Sequence, residues 1–389
     1  MIIKSKRSRY EDLIGIYKKT FMADQIKKAE TKNQHFVPQF YQRYFSMDKK
    51  NIGTYIISSG KNINSAPIKN QSSGNYFYSD KMEIEKILGK MEGLWKKVID
   101  KVIKNPKGNL SREEKYNLYA FTIIQLGRTS AQANLIQEAA NTSLCTIAKK
   151  HLEILRNSEN SDKYKDITDD ELNHISFNFP YPAVLALQTQ FQLINTCIDL
   201  QFKILINNTK VSFITSNNPA AKYSQFLERM GVKNYALGSR GLQIFIPLTP
   251  FIGVMFYDPK CYKLGYRRRN YVELTQEKDI EELNKLTASN AEGVLYYLPG
   301  SISENQLEKL SGQNKYYKPQ KRVEEYPEIP TADGVIVGSY HCSLFCKLSL
   351  SFVKELPRYR TLRKQDFNCR EHLLREIAYI KDEIARKTI

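Results

Sequence analysis

Apolar residues in the first half of the chain recur at intervals of three and four, whereas in the second half they gather into short runs. Within residues 82–103, Ile84, Ile87, Leu88, Met91, Trp95, Val98, Ile99, Val102 and Ile103 fall on one stripe, which predicts a helix with a single buried face. Leu13, Ile14, Ile16, Tyr17, Phe21 and Ile26 predict an amphipathic helix over residues 10–30, basic on its outer face. Ser111 followed three residues later by Glu114 is a capping-box pattern, so a helix should open there and run past Gln125 and Arg128. A further helix is expected near residues 130–155, and Pro182 fits the first turn of one over 183–200. Between these, Pro38 biases Val37 toward extended backbone, so residues 33–41 read as an ordered loop entering a short helix.

Extended segments are expected at residues 52–57 and 75–78, separated by a Ser-, Asn- and Gly-rich stretch, 58–74, that reads as loop. After the polar stretch 157–170, read as a linker or loop, the short β-rich runs 202–206, 211–214, 242–246 and 253–257 are bounded by Asn, Pro and Gly. Residues 276–291 return to helix and 293–298 to strand; 334–340 and 344–352 read as a closing hairpin, and 370–387 as a last helix. The fold class that follows is α+β: a largely helical first half packed with a small, mostly antiparallel sheet from the second half. Neither an internal repeat nor a low-complexity tract interrupts it.

Composition adds three constraints. With 41% hydrophobic and 26% charged residues over 389 positions, the chain can bury a sizeable core and is not expected to be disordered. The 59 Lys and Arg against 41 Asp and Glu give a formal charge of +18, which favours polyanionic partners, nucleic acid first, although a merely solvated basic surface reads the same way. No apolar stretch approaches the roughly 18 residues of a membrane helix, and residues 1–10 are basic with no apolar run behind them, so neither a span nor a secretory leader is expected. Six cysteines in so long a chain make no disulfide framework, and a cytoplasmic setting with reduced thiols fits best.

Several polar motifs stand out against this background. They are His35-Phe36-Val37-Pro38-Gln39-Phe40-Tyr41, Asn75-Tyr76-Phe77-Tyr78, Glu85 with Glu92, Gln125 with Arg128, and Phe213-Ile214-Thr215-Ser216-Asn217-Asn218-Pro219. Ile246-Pro247-Leu248-Thr249-Pro250 and Asn290-Ala291 follow. In this order they resemble the landmarks of the bacterial DUF4238 family, over residues 31 to roughly 300. The resemblance implies a shared domain over 31–300, with an amphipathic helical extension at 1–30 and a basic strand and helix extension at 301–389. It implies bacterial company more than a reaction, since the family name records an unknown function. One departure is chemical: the family's Ser-Asp-Asn-Pro-like turn stands here as Ser216-Asn217-Asn218-Pro219, without the carboxylate.

Glu85 and Glu92 lie two helical turns apart, and Gln125 and Arg128 share a helix face, so the two pairs could converge. His35 could act as acid or base, oriented by Gln39, and the planar fork of Arg128 could take a phosphate. The structural alternative is a histidine that merely caps the next helix and a buried Glu92–Arg128 bridge. Ser216, Asn217 and Asn218 end a strand, where their side chains could meet backbone or substrate alike. Tyr266-Arg267-Arg268-Arg269-Asn270-Tyr271 interleaves cations with aromatics, as do residues 315–322 and 358–364, a pairing that serves phosphates and stacked bases. His341, Cys342, Cys346, Cys369 and His372 could supply a zinc site; but Cys342 and Cys346, four apart in an expected strand, would stand about 13 Å apart, and ordinary buried cysteines are the preferred reading.

The leading expectation is a nucleic-acid-acting bacterial effector, a nuclease in anti-phage or mobile-element defence. His35, Gln39, Glu92 and Arg128 would be catalytic; Gln125, Ser216, Asn217, Asn218, Arg267, Arg268 and Arg269 would bind substrate. A divalent metal such as Mg²⁺ is the cofactor this chemistry would use, with its ligands unknown. The alternative is a non-catalytic module that recognises nucleic acid or a phage component; a third reading, chemistry on a nucleotide-like small molecule, needs a closed pocket at His35. No membrane partner is expected, and a protein partner or self-association is left open.

Overall fold

The computed structural model describes residues 33–78, 83–157, 166–168, 170–171, 181–232, 234–320, 322–325, 329–331, 334–336, 339–360 and 369–374. The helix expected at 10–30 and most of the one expected at 370–387 lie outside them.

The chain opens with β1 (Asn33–His35) and the one-turn helix α1 (Gln39–Gln42), then β2 (Asn51–Ile56), β3 (Lys61–Pro67) and β4 (Ser73–Asn75). The helices α2 (Glu83–Lys104), α3 (Arg112–Gly127), α4 (Ser130–Arg156) and α5 (Pro182–Leu193) follow. The stripe read from Ile84 to Ile103 is the buried face of α2, with Met91, Trp95 and Ile99 fully enclosed. Ser111 and Glu114 form the capping box of α3, each side chain satisfying the other residue's backbone N–H. The last helix is shorter than expected: α5 stops at Leu193, and a 3₁₀ turn, Asn195–Cys197, completes the segment.

The second half supplies β5 (Gln201–Asn207), β6 (Thr215–Ser216), β7 (Ala221–Tyr223), the short helix α6 (Gln225–Arg229), β8 (Gln243–Thr249), β9 (Ile252–Tyr257), β10 (Tyr262–Leu264) and β11 (Tyr271–Leu274). Then come α7 (Glu277–Asn290), β12 (Val294–Tyr297), α8 (Glu304–Tyr317), β13 (Val323–Glu325), β14 (Ile329–Thr331), β15 (Gly334–Ile336), β16 (Ser339–His341) and β17 (Val353–Glu355). The largest sheet has the order β11-β5-β9-β8-β7, antiparallel except for the β11–β5 pair. β8 and β9 are buried at every position, as central strands covered on both faces must be. A four-stranded sheet, β3-β2-β12-β6, joins strands from both halves of the chain. The class is α+β, and the first half is less purely helical than expected because it contributes β1 to β4.

Four expectations are corrected. Residues 75–78 are not an extended segment, since β4 ends at Asn75 and Tyr76 turns the chain in the left-handed region at φ 50°. Residues 58–74 are not all loop: β3 pairs with β2 there, and as an edge strand with only Ala66 buried it carries no apolar alternation to read. Residues 211–214 lie just before the two-residue β6 and are held irregularly, with Phe213 N–H donating to Pro250 O and Ile214 N–H to Asn284 Oδ1. The hairpin expected from 334–340 and 344–352 is absent: β15 pairs with β14, β16 with β13, and β17 with β10. Residues 342–350 run in no regular element, yet Cys346, Leu348 and Leu350 are buried. Side chains replace the partner strand there. Glu228 accepts from Lys347 N–H, Tyr223 from Leu348, Glu282 from Ser349 and Asp279 from Ser351, so α6, α7 and β7 satisfy the backbone that a hairpin would have satisfied.

Candidate functional site

The motif His35-Phe36-Val37-Pro38-Gln39-Phe40-Tyr41 divides by face. Phe36, Val37, Phe40 and Tyr41 enter the main core, and the Tyr41 hydroxyl donates to Pro247 O at 2.6 Å and meets Thr215 Oγ1 at 2.7 Å. His35 and Gln39 face the other way. With Pro38 extended ahead of α1, they line a cleft of about 340 Å³ together with Arg43, Glu85, Glu92 and Arg128. The structure therefore brings the four expected catalytic residues to one place.

Their bonds show what each group is free to do. His35 Nε2 lies 3.1 Å from Lys69 O, an acceptor only, so Nε2 carries the proton. Nδ1 is then the acceptor for Gln39 Nε2 at 3.4 Å, and Gln39 Oε1 accepts from Arg43 Nη2 at 3.0 Å. Burial lowers the imidazole pKa below its ordinary 6.5, the Lys69 carbonyl opposes that shift, and the Arg128 charge adds to it. The neutral ring is thus held at both nitrogens, the Gln39 bond being the weaker one.

Arg128, at the C-terminal end of α3 and almost wholly buried, divides its fork among three elements. Nε donates to the Tyr78 hydroxyl at 2.9 Å and Nη2 to the His35 carbonyl at 2.9 Å. Nη1 stands 2.6 Å from Glu92 Oε1, out of line for a hydrogen bond, so this contact with α2 is a charge pair. The ion pair and Tyr78 hold Arg128 above its ordinary pKa against the cost of burial. The helix-joining bridge is present, then, within the cleft.

Among the expected substrate-binding residues, Gln125 is buried and donates to Phe36 O at 3.1 Å and to Arg128 O at 3.3 Å, fixing the motif's backbone. Ser216, Asn217 and Asn218 do not line the cleft. Ser216 Oγ accepts from Asn218 N–H, Asn217 exchanges paired hydrogen bonds with the Glu292 backbone, and the Asn218 and Asn290 amides each donate to the other's carbonyl. These amides tie the end of β6 to the end of α7, and Asn217 needs no charge for it. Arg267, Arg268 and Arg269 are exposed on the turn before β11 and lie away from the cleft. Lys203, buried beneath them, donates to Tyr266 O at 2.9 Å and to Arg269 O, which fixes the turn. Arg269 lies over the rings of Tyr266 and Tyr271, Lys107 over Tyr271, and Asn270 is tied to Gly108 O at 2.6 Å. Among the described residues the three arginines form no ion pair with a carboxylate.

No cluster of three or more His, Cys, Asp or Glu residues that could hold a metal occurs among the described residues. Cys342 and Cys346 lie outside any strand, Cys346 buried and Cys369 exposed. No helix among them is long and apolar enough to cross a membrane. Sequence reasoning gave no role to Tyr78 or Lys203; Tyr78 stood inside a quoted motif, whereas nothing in the spacing of Lys203 marks it as the support of a turn 63 residues away.

Residues 33–301 match the model of a family described as a protein of unknown function, DUF4238. No curated protein and no solved structure matches the chain.

Proposed function

The chain belongs to the DUF4238 family, and we propose that it is a nucleic-acid recognition module whose exposed turn, bearing Arg267, Arg268 and Arg269, contacts phosphates. The observation that carries this reading is the fixed, unpaired state of that turn. Three guanidinium groups with no carboxylate in ion-pair contact among the described residues stand beside Tyr266 and Tyr271 on a backbone held by Lys203, with Lys107 nearby already paired to Glu273, so little ordering entropy is lost when a phosphate arrives. The formal charge of +18 adds long-range attraction. Binding of labelled RNA, single-stranded DNA and duplex DNA, measured by anisotropy across a salt series, tests it. The triple variant Arg267→Gln, Arg268→Gln, Arg269→Gln should flatten the log–log salt slope by about two to three, one for each phosphate no longer neutralised. An unchanged slope and affinity would sink the reading.

The second reading is phosphodiester hydrolysis, in a nuclease serving defence against phage or mobile elements. It is favoured by the convergence of His35, Gln39, Glu92 and Arg128 on one cleft. It ranks second because both imidazole nitrogens are engaged and Arg128 is already hydrogen-bonded to Tyr78 and the His35 carbonyl and charge-paired with Glu92. Cleavage with Mg²⁺ or Mn²⁺, abolished by a chelator and by His35→Ala with the melting temperature held, would put this reading first.

A further inference from the structure

A second cavity, about 360 Å³ in volume, lies beside the turn that follows β6, with Asn218 and Ala220 on its wall. Leu126 of α3, Leu135 of α4, Leu193 of α5 and Leu344 give it an apolar side, and its size is that of a small-molecule site. The remaining wall is polar, with three cations among neutral side chains. Lys222, Lys318 and Arg322 line it against one carboxylate, Glu292, which is taken by Lys318 at 2.6 Å and Arg322 at 2.8 Å.

Lys222 is the group without a counter-charge. It sits on β7, its ammonium donates to Tyr235 O at 2.6 Å and lies over the Tyr235 ring, and among the described residues no carboxylate pairs with it. Among the described residues no hydrogen bond engages its other two N–H donors. An ammonium desolvated in this way is costly, and burial pushes its pKa down to about 8. His341, also on the wall, is held below its ordinary pKa by burial and by the Lys222 charge. The first turn of the 27-residue helix α4 lines the cavity through Ala131 and Gln132. An unpaired cation and a helix N-terminus beside an apolar wall fit one kind of guest.

We propose that this cavity binds a small molecule with one anionic group, phosphate or carboxylate, held by Lys222, and an apolar body lying on the leucine wall. The anion would compensate the part-buried ammonium. The site is separate from the Arg267–Arg269 turn, and its test involves no nucleic acid, so the two readings fail independently.

The test is fluorescence titration of the full chain with anilinonaphthalene sulfonate, an anion on an apolar body, followed by competition with adenosine monophosphate and with octanoate. Saturable one-to-one binding is expected, weakened on the order of tenfold by Lys222→Met, which removes one charge-assisted hydrogen bond. Leu135→Trp, which fills the cavity, should abolish it with the melting temperature retained, and decides the matter if Lys222→Met does not fold. Displacement by the nucleotide assigns phosphate, and displacement by octanoate assigns carboxylate. Failure of all three probes to bind the wild type, or undiminished binding in either folded variant, overturns the proposal.

Discussion

Arg128 joins α2, α3 and the strand-to-helix segment at His35 through a single guanidinium, so substituting it removes support from three directions at once. Arg128→Met should cost about 3 kcal/mol, because it leaves the Glu92 carboxylate without its charge partner and the Tyr78 hydroxyl and the His35 carbonyl without their donor. His35→Ala removes one good and one weak hydrogen bond at the cleft edge and should cost about 1 kcal/mol; urea unfolding of both variants checks the contrast. The imidazole also sets a pH dependence. Its folded pKa lies below 6.5, so the unfolded chain takes up the proton first as pH falls. The stability contributed by the neutral ring is complete above about pH 7 and is lost as pH falls through 6.5 toward the folded value. The wild type should therefore lose more stability than His35→Gln between about pH 7 and 5, and equal losses would show that the ring is not held neutral.

At the scale of elements, α3 and α5 approach so closely that Gly127 has no room for a side chain: a Cβ there would stand 2.0 Å from Gln190 Cγ and 3.0 Å from Ala186 O. Gly127→Ala should cost about 1–3 kcal/mol in chemical denaturation, and adding Gln190→Ala should recover part of it, since one of the two obstructions is a side chain. Local signals of this chain were legible where they are self-contained. The α2 stripe and the Ser111–Glu114 box depend only on residues three and four apart, and both appear as read. Ser303 and Gln306 form an equal box opening α8, which the same rule could have found. What could not be read is supplied by distant partners. β3 is a strand because β2 lies beside it, and residues 347–351 need no hairpin because Glu228, Tyr223, Glu282 and Asp279 accept their N–H groups. The cleft was legible in its members, since His35, Gln39, Glu92 and Arg128 do meet, but not in their bonding, which fixes the ring and the fork in place.

For the whole molecule, the residues beyond 301, where the family match ends, complete the interior of the matched part. Cys346, Leu348, Leu350 and Phe352 belong to the main core, and β17 is the partner of β10. Leu307 and Leu310 of α8 close a second core built on Tyr55, Ile214, Leu295 and Tyr297. Arg370 reaches back to donate to Leu237 O at 2.5 Å and to Ser239 O at 3.1 Å, and pairs with Asp199 at 2.8 Å. Full burial of one large apolar side chain is worth about 1.5–3 kcal/mol, so the four leucines and Phe352 together, on the order of 10 kcal/mol, rival the whole net stability of an ordinary domain. A chain ending at Gly300 should therefore fail to fold cooperatively, with no sigmoidal urea transition and strong binding of an apolar dye. A chain ending at Leu374 should keep a single transition, because the described contacts of Arg370 survive in it. A cooperative transition in the shorter chain, at a midpoint near that of the full one, would instead make residues 301–389 a true extension, as the sequence alone had led one to expect.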